Sequence, residues 1–161
     1  MLIDKKLLDG LFAEAGESQR KRMNWDLRTN AEDGSQRMLN ALLPGTVVPA
    51  HHHPHSSETV ICLCGRMDEV CYDSNGHETE RFHLCPADGA YGCQVPAGVW
   101  HSVEVFEPSV IFEAKDGAYG KDGSELMWTS ALKATLDGGL RLLLAAVCRR
   151  KKILESEDRT I

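Results

Sequence analysis

The stretch Gly45-Thr-Val-Val-Pro-Ala-His51-His-His53-Pro-His-Ser-Ser-Glu58-Thr-Val-Ile-Cys-Leu-Cys-Gly65 decides how this chain is read. Side chains on an extended strand alternate between faces, so His51 and His53 point one way and His52 the other. Two imidazoles on one face can bind one metal ion. Glu58 follows across a short turn, where a carboxylate can close a third position. His101 lies far along the chain, just past Pro96-Ala-Gly98, at the start of another strand. In a small barrel the two strands can face each other, which would make His101 a fourth ligand.

Outward from this stretch the same punctuation continues. Short β-prone runs are expected at Arg37–Leu43, Thr46–His53, Glu58–Cys64, Met67–Tyr72, Glu78–Leu84, Tyr91–Val95, Trp100–Phe106 and Ser109–Ala114, with Gly, Pro and Asp between them. Strands at this spacing, with turn chemistry between them, predict a sandwich or barrel. Before them, Asp4 can cap a helix whose stripe is Leu7, Leu8, Leu11, Phe12 and Ala15, with Gly16 as its C-cap. Residues 17–35 read as a polar loop. After Gly123 a helical period returns through Leu132, Leu136, Leu140, Leu143, Leu144 and Val147. The expected organisation is an N-terminal helix and extension over 1–35, a barrel over 36–123 and a C-terminal helical tail over 124–161.

The distribution of two residue types agrees with this division. All seven histidines lie between His51 and His101, and all six prolines between Pro44 and Pro108. Proline punctuates strands and does not serve inside helices. The 161 residues suit one domain with a short appendage. A net charge of −6 argues against a nucleic-acid binder that relies on a basic face. Residues 43–130 hold 4 Lys+Arg against 13 Asp+Glu, so the His-rich middle is also the acidic part. No apolar run is long enough to span a membrane, and the N-terminus turns acidic too soon for a signal peptide; the expected compartment is the cytoplasm. The six cysteines include no Cys-x-x-Cys pair and are expected to be reduced and mostly buried. The basic run Arg149–Lys152 is expected to be a solvated helix end, and the Leu140–Val147 stripe needs cover, so a homodimer is expected.

Gly45, His51-x-His53, Glu58 and Gly65 stand at the spacings of the first cupin motif, and Pro96-x-Gly98-x-x-His101 at those of the core of the second. The chain therefore resembles the cupin superfamily. It departs from the second motif at Ala90, where a Gly belongs, and at Val105, where an Asn belongs; neither position is a ligand. Gln36-Arg-Met-Leu-Asn-Ala-Leu42, Pro44-Gly-Thr46, His53-Pro-His-x-Ser-Glu-Thr59, Phe112-Glu113 and Asp116-Gly-Ala-Tyr119 look like WbuC-type cupin-fold metalloproteins over residues 24–120. That resemblance implies an all-β double-stranded β-helix, a jelly-roll barrel with an N-terminal extension, and an association with bacterial surface-polysaccharide loci.

The expected metal ligands are His51, His53, Glu58 and His101. Three histidines and one carboxylate suit one divalent transition ion per chain, Fe, Mn, Ni, Co or Zn. His52 is expected on the outer side, His55 as a poorly spaced competitor, and His77 and His83 as structural histidines. Trp100 should face away from the site. Arg37, Asn40, Tyr72, Glu113 and Lys115 are pocket candidates whose facing depends on strand parity. A divalent ion on this ligand set leaves a charge of +1 and open positions for an anionic or polyhydroxylated ligand. Three functions compete: a small metalloenzyme acting on a sugar or small organic acid, an Fe(II)-dependent dioxygenase, and a non-enzymatic metal- or ligand-binding protein. The polysaccharide association implied by the resemblance favours the first.

Overall fold

The computed structural model describes residues 1–127. The helical stripe Leu132–Val147, the basic run Arg149–Lys152, Cys148 and the dimerisation surface expected of the stripe lie outside the described residues. Among those described, no helix is long and apolar enough to cross a membrane.

Among the described residues, one α-helix precedes ten strands. α1 spans Lys5–Glu17, and Asp4 caps it by accepting from the Leu7 amide. It runs past Gly16 and ends at Ser18, whose amide reaches the Glu14 and Ala15 carbonyls. The strands are β1 Arg22–Asp26, β2 Ser35–Leu42, β3 His51–His52, β4 Glu58–Cys64 and β5 Met67–Tyr72, followed by β6 Glu78–Leu84, β7 Gly92–Val95, β8 Trp100–Val105, β9 Ser109–Asp116 and β10 Glu125–Leu126. They form two five-stranded antiparallel sheets, ordered β1-β2-β9-β4-β7 and β10-β3-β8-β5-β6.

Three expectations are corrected here. The polar segment 17–35 contains β1, which pairs with β2 along its length. Asn24, Trp25 and Asp26 are exposed in a row and the half-buried Arg22 and Met23 are adjacent, so no apolar alternation announced it. The strand expected over Thr46–His53 is reduced to His51–His52, because Thr46 turns back to Leu43 and Pro49 has no amide to donate. The start of the expected helical tail is instead the short strand β10, paired with β3.

The core has two parts. Leu42, Val60, Cys62, Met67, Leu84 and Ile111 pack between the sheets, with Phe82, Val103 and Val105 around them. The outer face of the first sheet carries Leu39, Ala41 and Val110, covered by Leu11 and Ala15 of α1. This explains why the second half of β2 is buried on both faces: Met38 and Leu42 enter the barrel, and Leu39 and Ala41 meet the helix.

Gly65 shows why the turn after β4 needs glycine. Its φ is +89°, and a Cβ there would stand 2.3 Å from the Pro108 carbonyl oxygen and 2.7 Å from the Ser109 Cα. On the outer face of the second sheet, buried Asp68 is satisfied by Arg81 and His83, each at 2.8 Å. That charge is a satisfied structural group.

Candidate metal centre

His51 and His101 are not on facing strands. β3 and β8 are neighbours in one sheet, and the two histidines stand directly opposite each other in register. The facing sheet supplies Glu58, at the start of β4. His53 follows β3, and its carbonyl accepts from the Gly98 amide at 2.8 Å, which ties the two motifs together. The four side chains meet as anticipated: their ligand atoms all lie within 4.8 Å of one another. An ion bonded at about 2.0–2.2 Å to each donor spans up to about 4.4 Å between opposed ligands, so small adjustments close the set. His53, Glu58 and His101 are buried and His51 is half-buried.

The hydrogen bonds behind the rings decide what the rings present. His51 Nδ1 is 3.0 Å from the Pro49 carbonyl, and His101 Nδ1 is 3.0 Å from the Val99 carbonyl. Such carbonyls only accept, so each Nδ1 carries the proton and each neutral ring offers a lone pair at Nε2. His53 Nδ1 lies 3.2 Å from Asp122 Oδ2. On the inner side, Glu58 Oε2 is 2.9 Å from His53 Nε2 and 3.3 Å from His101 Nε2. A carboxylate facing two imidazole lone pairs needs a proton or a metal ion between them. A carboxylate or carbonyl behind each ligating histidine is also the usual outer shell of a metal site. The residues fit the ion.

Burial is the first cause of the low His51 pKa, with the neighbouring His101 adding to it; together they bring it down to about 4. The ring is therefore neutral near pH 7, as ligation requires. Burial resists the charge on Glu58, but the close approach of the His101 and His53 rings and the Lys115 cation outweigh it and hold that carboxyl well below its ordinary range.

Lys115 sits against this centre. Its Nζ is 2.8 Å from His53 Nε2 and 3.1 Å from Asp122 Oδ2. An ion held by His53 Nε2 would compete with the ammonium for that atom, and Asp122 would remain as the partner of Lys115. Gln36 and Ser124 hold Asp122 in place, donating at 3.1 Å and 2.6 Å. Asp122 lies between the glycine turns that follow β9, in a segment with no periodicity to read, which is why sequence reasoning missed it.

The pocket candidates divide by parity. Asn40, Glu113 and Lys115 line the cavity beside the ligands. Arg37 does not: with Gln36 and Met38 inside, it turns outward and pairs with Asp33 at 2.8 Å. Tyr72 is also outside, and its strand contributes Glu69 instead. Glu69, Arg22 and Gln36 went unnoticed although Asn40 fixes the parity of Gln36. His52 stacks on Trp100 with centroids 4.0 Å apart, on the other side of the sheet from the ligands. His55 is outside the ligand group, and His77 bonds to Asp73 in its turn.

Two facing antiparallel sheets with this donor set at the mouth between them define a cupin-type barrel. Solved structures share the fold. CapF bound to the inhibitor 3-isopropenyl-tropolone superposes with a TM-score of 0.57 at 15% identity, over 68% of this chain and 32% of that one. Lactobacillus farciminis oxalate decarboxylase in its formate complex gives 0.53 at 14% identity, over 68% and 32%. Oxalate oxidase bound to the substrate analogue glycolate gives 0.51 at 14% identity, over 68% and 56%. The chain thus spans between a third and just over half of the length of these three. No curated protein matches the sequence. Residues 3–84, just over half of the chain, match the family described as "Domain of unknown function (DUF6016)", and the chain belongs to that family.

Proposed function

We propose that the protein binds one divalent transition ion (Fe, Mn, Ni, Co or Zn) through His51, His53, Glu58 and His101. We further propose that it acts as a small metalloenzyme on a sugar or small organic acid, by isomerisation, epimerisation or lyase-type chemistry. The observation that carries the metal reading is the pair of carbonyl-fixed Nδ1 atoms on His51 and His101, which turn both Nε2 atoms toward Glu58. The WbuC-like segments within residues 24–120 support the sugar reading and a link to bacterial surface polysaccharides.

A bound ion would act as a Lewis acid toward a ligand oxygen and make a bound water more acidic. The chain supplies the rest. Lys115 places a positive charge where an anionic ligand group would lie. Asn40 orients Glu113 through a 2.7 Å hydrogen bond. In the metal-free protein, enclosure in the barrel, with the Glu58 charge second, pushes the Glu113 carboxyl up to about 8. The apolar side chains between the sheets exclude water from the inner end.

Metal analysis of protein purified without a histidine tag tests the reading. About one equivalent of a transition metal per chain is expected, as purified or after loading. Content below about a tenth of an equivalent, with no uptake on loading, overturns it.

A further inference from the structure

The metal centre occupies one part of a cavity of about 430 Å³, and two carboxyl groups in its walls have no task there. Glu69 belongs to β5 and Glu113 to β9, on the two facing sheets. Glu113 pairs with Val60, two residues along β4 from Glu58. Glu69 pairs with Val103, two residues along β8 from His101. Because side chains repeat every second residue, both lie one inward step below the ligands. Beneath them are Leu42, Cys62, Met67 and Ile111 of the core.

Glu113 has Asn40 as a partner. Glu69 is 1% exposed, and no described residue hydrogen-bonds its carboxyl. An unpartnered polar group at this depth is costly, and this one lines a cavity from which a ligand can supply the partner. Burial, reinforced by Glu58 and Glu113, raises the Glu69 pKa well above the ordinary value, which favours the protonated carboxyl. A protonated carboxyl both donates and accepts, which matches a hydroxyl group.

The mouth of the cavity has the opposite chemistry. A divalent ion with Lys115, Glu58 and Asp122 sums to +1, and Arg22 lines the same cavity. Charge of that sign in a partly enclosed site selects an anion. The cavity volume is near the low end of the ~300–1,000 Å³ common to small-molecule sites, enough for a molecule the size of one sugar.

Building on the metal reading above, we propose that the barrel takes a short polyhydroxylated monocarboxylate end-on. Its carboxylate lies between the metal position and Lys115, and its hydroxyls enter the layer of Glu69, Glu113 and Asn40.

The test uses the full chain loaded with Co(II), with metal content measured first and the visible cobalt spectrum followed throughout. Calorimetric titration compares gluconate with hexanoate, which lacks the hydroxyls, and with sorbitol, which lacks the anion. Gluconate should bind at least about tenfold more tightly than either, since a site built to bond hydroxyls rejects ligands without them. Lys115→Met should remove the advantage over sorbitol. Glu69→Leu and Glu113→Leu should remove the advantage over hexanoate, while Glu69→Gln and Glu113→Gln, which keep a neutral donor, should retain most of it. Full cobalt loading with hexanoate or sorbitol equal to gluconate overturns the proposal and leaves the metal reading standing. Cobalt uptake far below one equivalent overturns both. The wild-type comparison decides the matter even if a leucine variant fails to fold.

Discussion

His53 has both ring nitrogens engaged, with Glu58 on one side and Asp122 on the other. Its neighbours His51 and His101 lean on backbone carbonyls, which no side-chain substitution removes. Two predictions belong at this scale. His51→Ala or His101→Ala should abolish stoichiometric metal and lower the Tm of metal-loaded protein toward that of the metal-free form, because an ion bound to the native state alone stabilises it. Metal analysis with thermal unfolding checks this, and full metal content in either variant contradicts it. Asp122→Asn should keep the ligands but weaken metal affinity by roughly 10–100-fold, the usual effect of losing an outer-shell carboxylate. Chelator competition measures it, and unchanged affinity would mean that Asp122 serves only Lys115 and Ser124.

The elements place these residues by register. One hydrogen-bonded pair, His51 with His101, joins the two motifs, and β10 covers the other edge of β3. Helix α1 serves a different purpose: it seals the outer face of the first sheet, well away from the ligands. Leu11 is 1% exposed there, so Leu11→Ala should cost about 2–5 kcal/mol in chemical denaturation. Metal stoichiometry should be unchanged, because the helix supplies no ligand; a variant that loses metal while folded would contradict this. The helix was legible from its apolar stripe and Asp4 cap. Strands β4, β5 and β6 were legible to the residue, because Gly, Pro and turn sequences bound them. β1 was not, since an edge strand with three successive exposed residues carries no alternation and takes its register from hydrogen bonds to β2.

The described residues form a graded barrel. An apolar core lies between the sheets, a layer with Glu69 and Glu113 stands above part of it, and the four candidate metal ligands stand at the mouth. The middle layer gives a pH signature in metal-free protein. The folded-state pKa of Glu113 is raised to about 8, against about 4.3 for an unperturbed glutamate. Between those values the folded state binds more protons than the unfolded state, so stability from this group is fully present below the lower value. It is lost as pH rises through the upper one. Glu113→Gln does not titrate, so its Tm relative to wild type should increase from pH 5 to pH 8. A difference that stays flat across this range would contradict enclosure of the carboxyl.

The sequence by itself picked out, from the spacing of the two motifs, the four side chains whose donor atoms the structure gathers within 4.8 Å, and the resemblance on those motifs supplied the expectation of the barrel. It also set the chemistry of the turns, where only glycine fits, as at Gly65. Tertiary structure decided the rest. Parity errors put Arg37 and Tyr72 outside and Gln36 and Glu69 inside, since one step along a strand exchanges its faces. Lys115 reached the site through the pairing of β9 with β4, opposite Glu58, and Asp122 met His53 only when the chain after β9 folded back. No local pattern records such a contact, because it depends on where two distant segments meet.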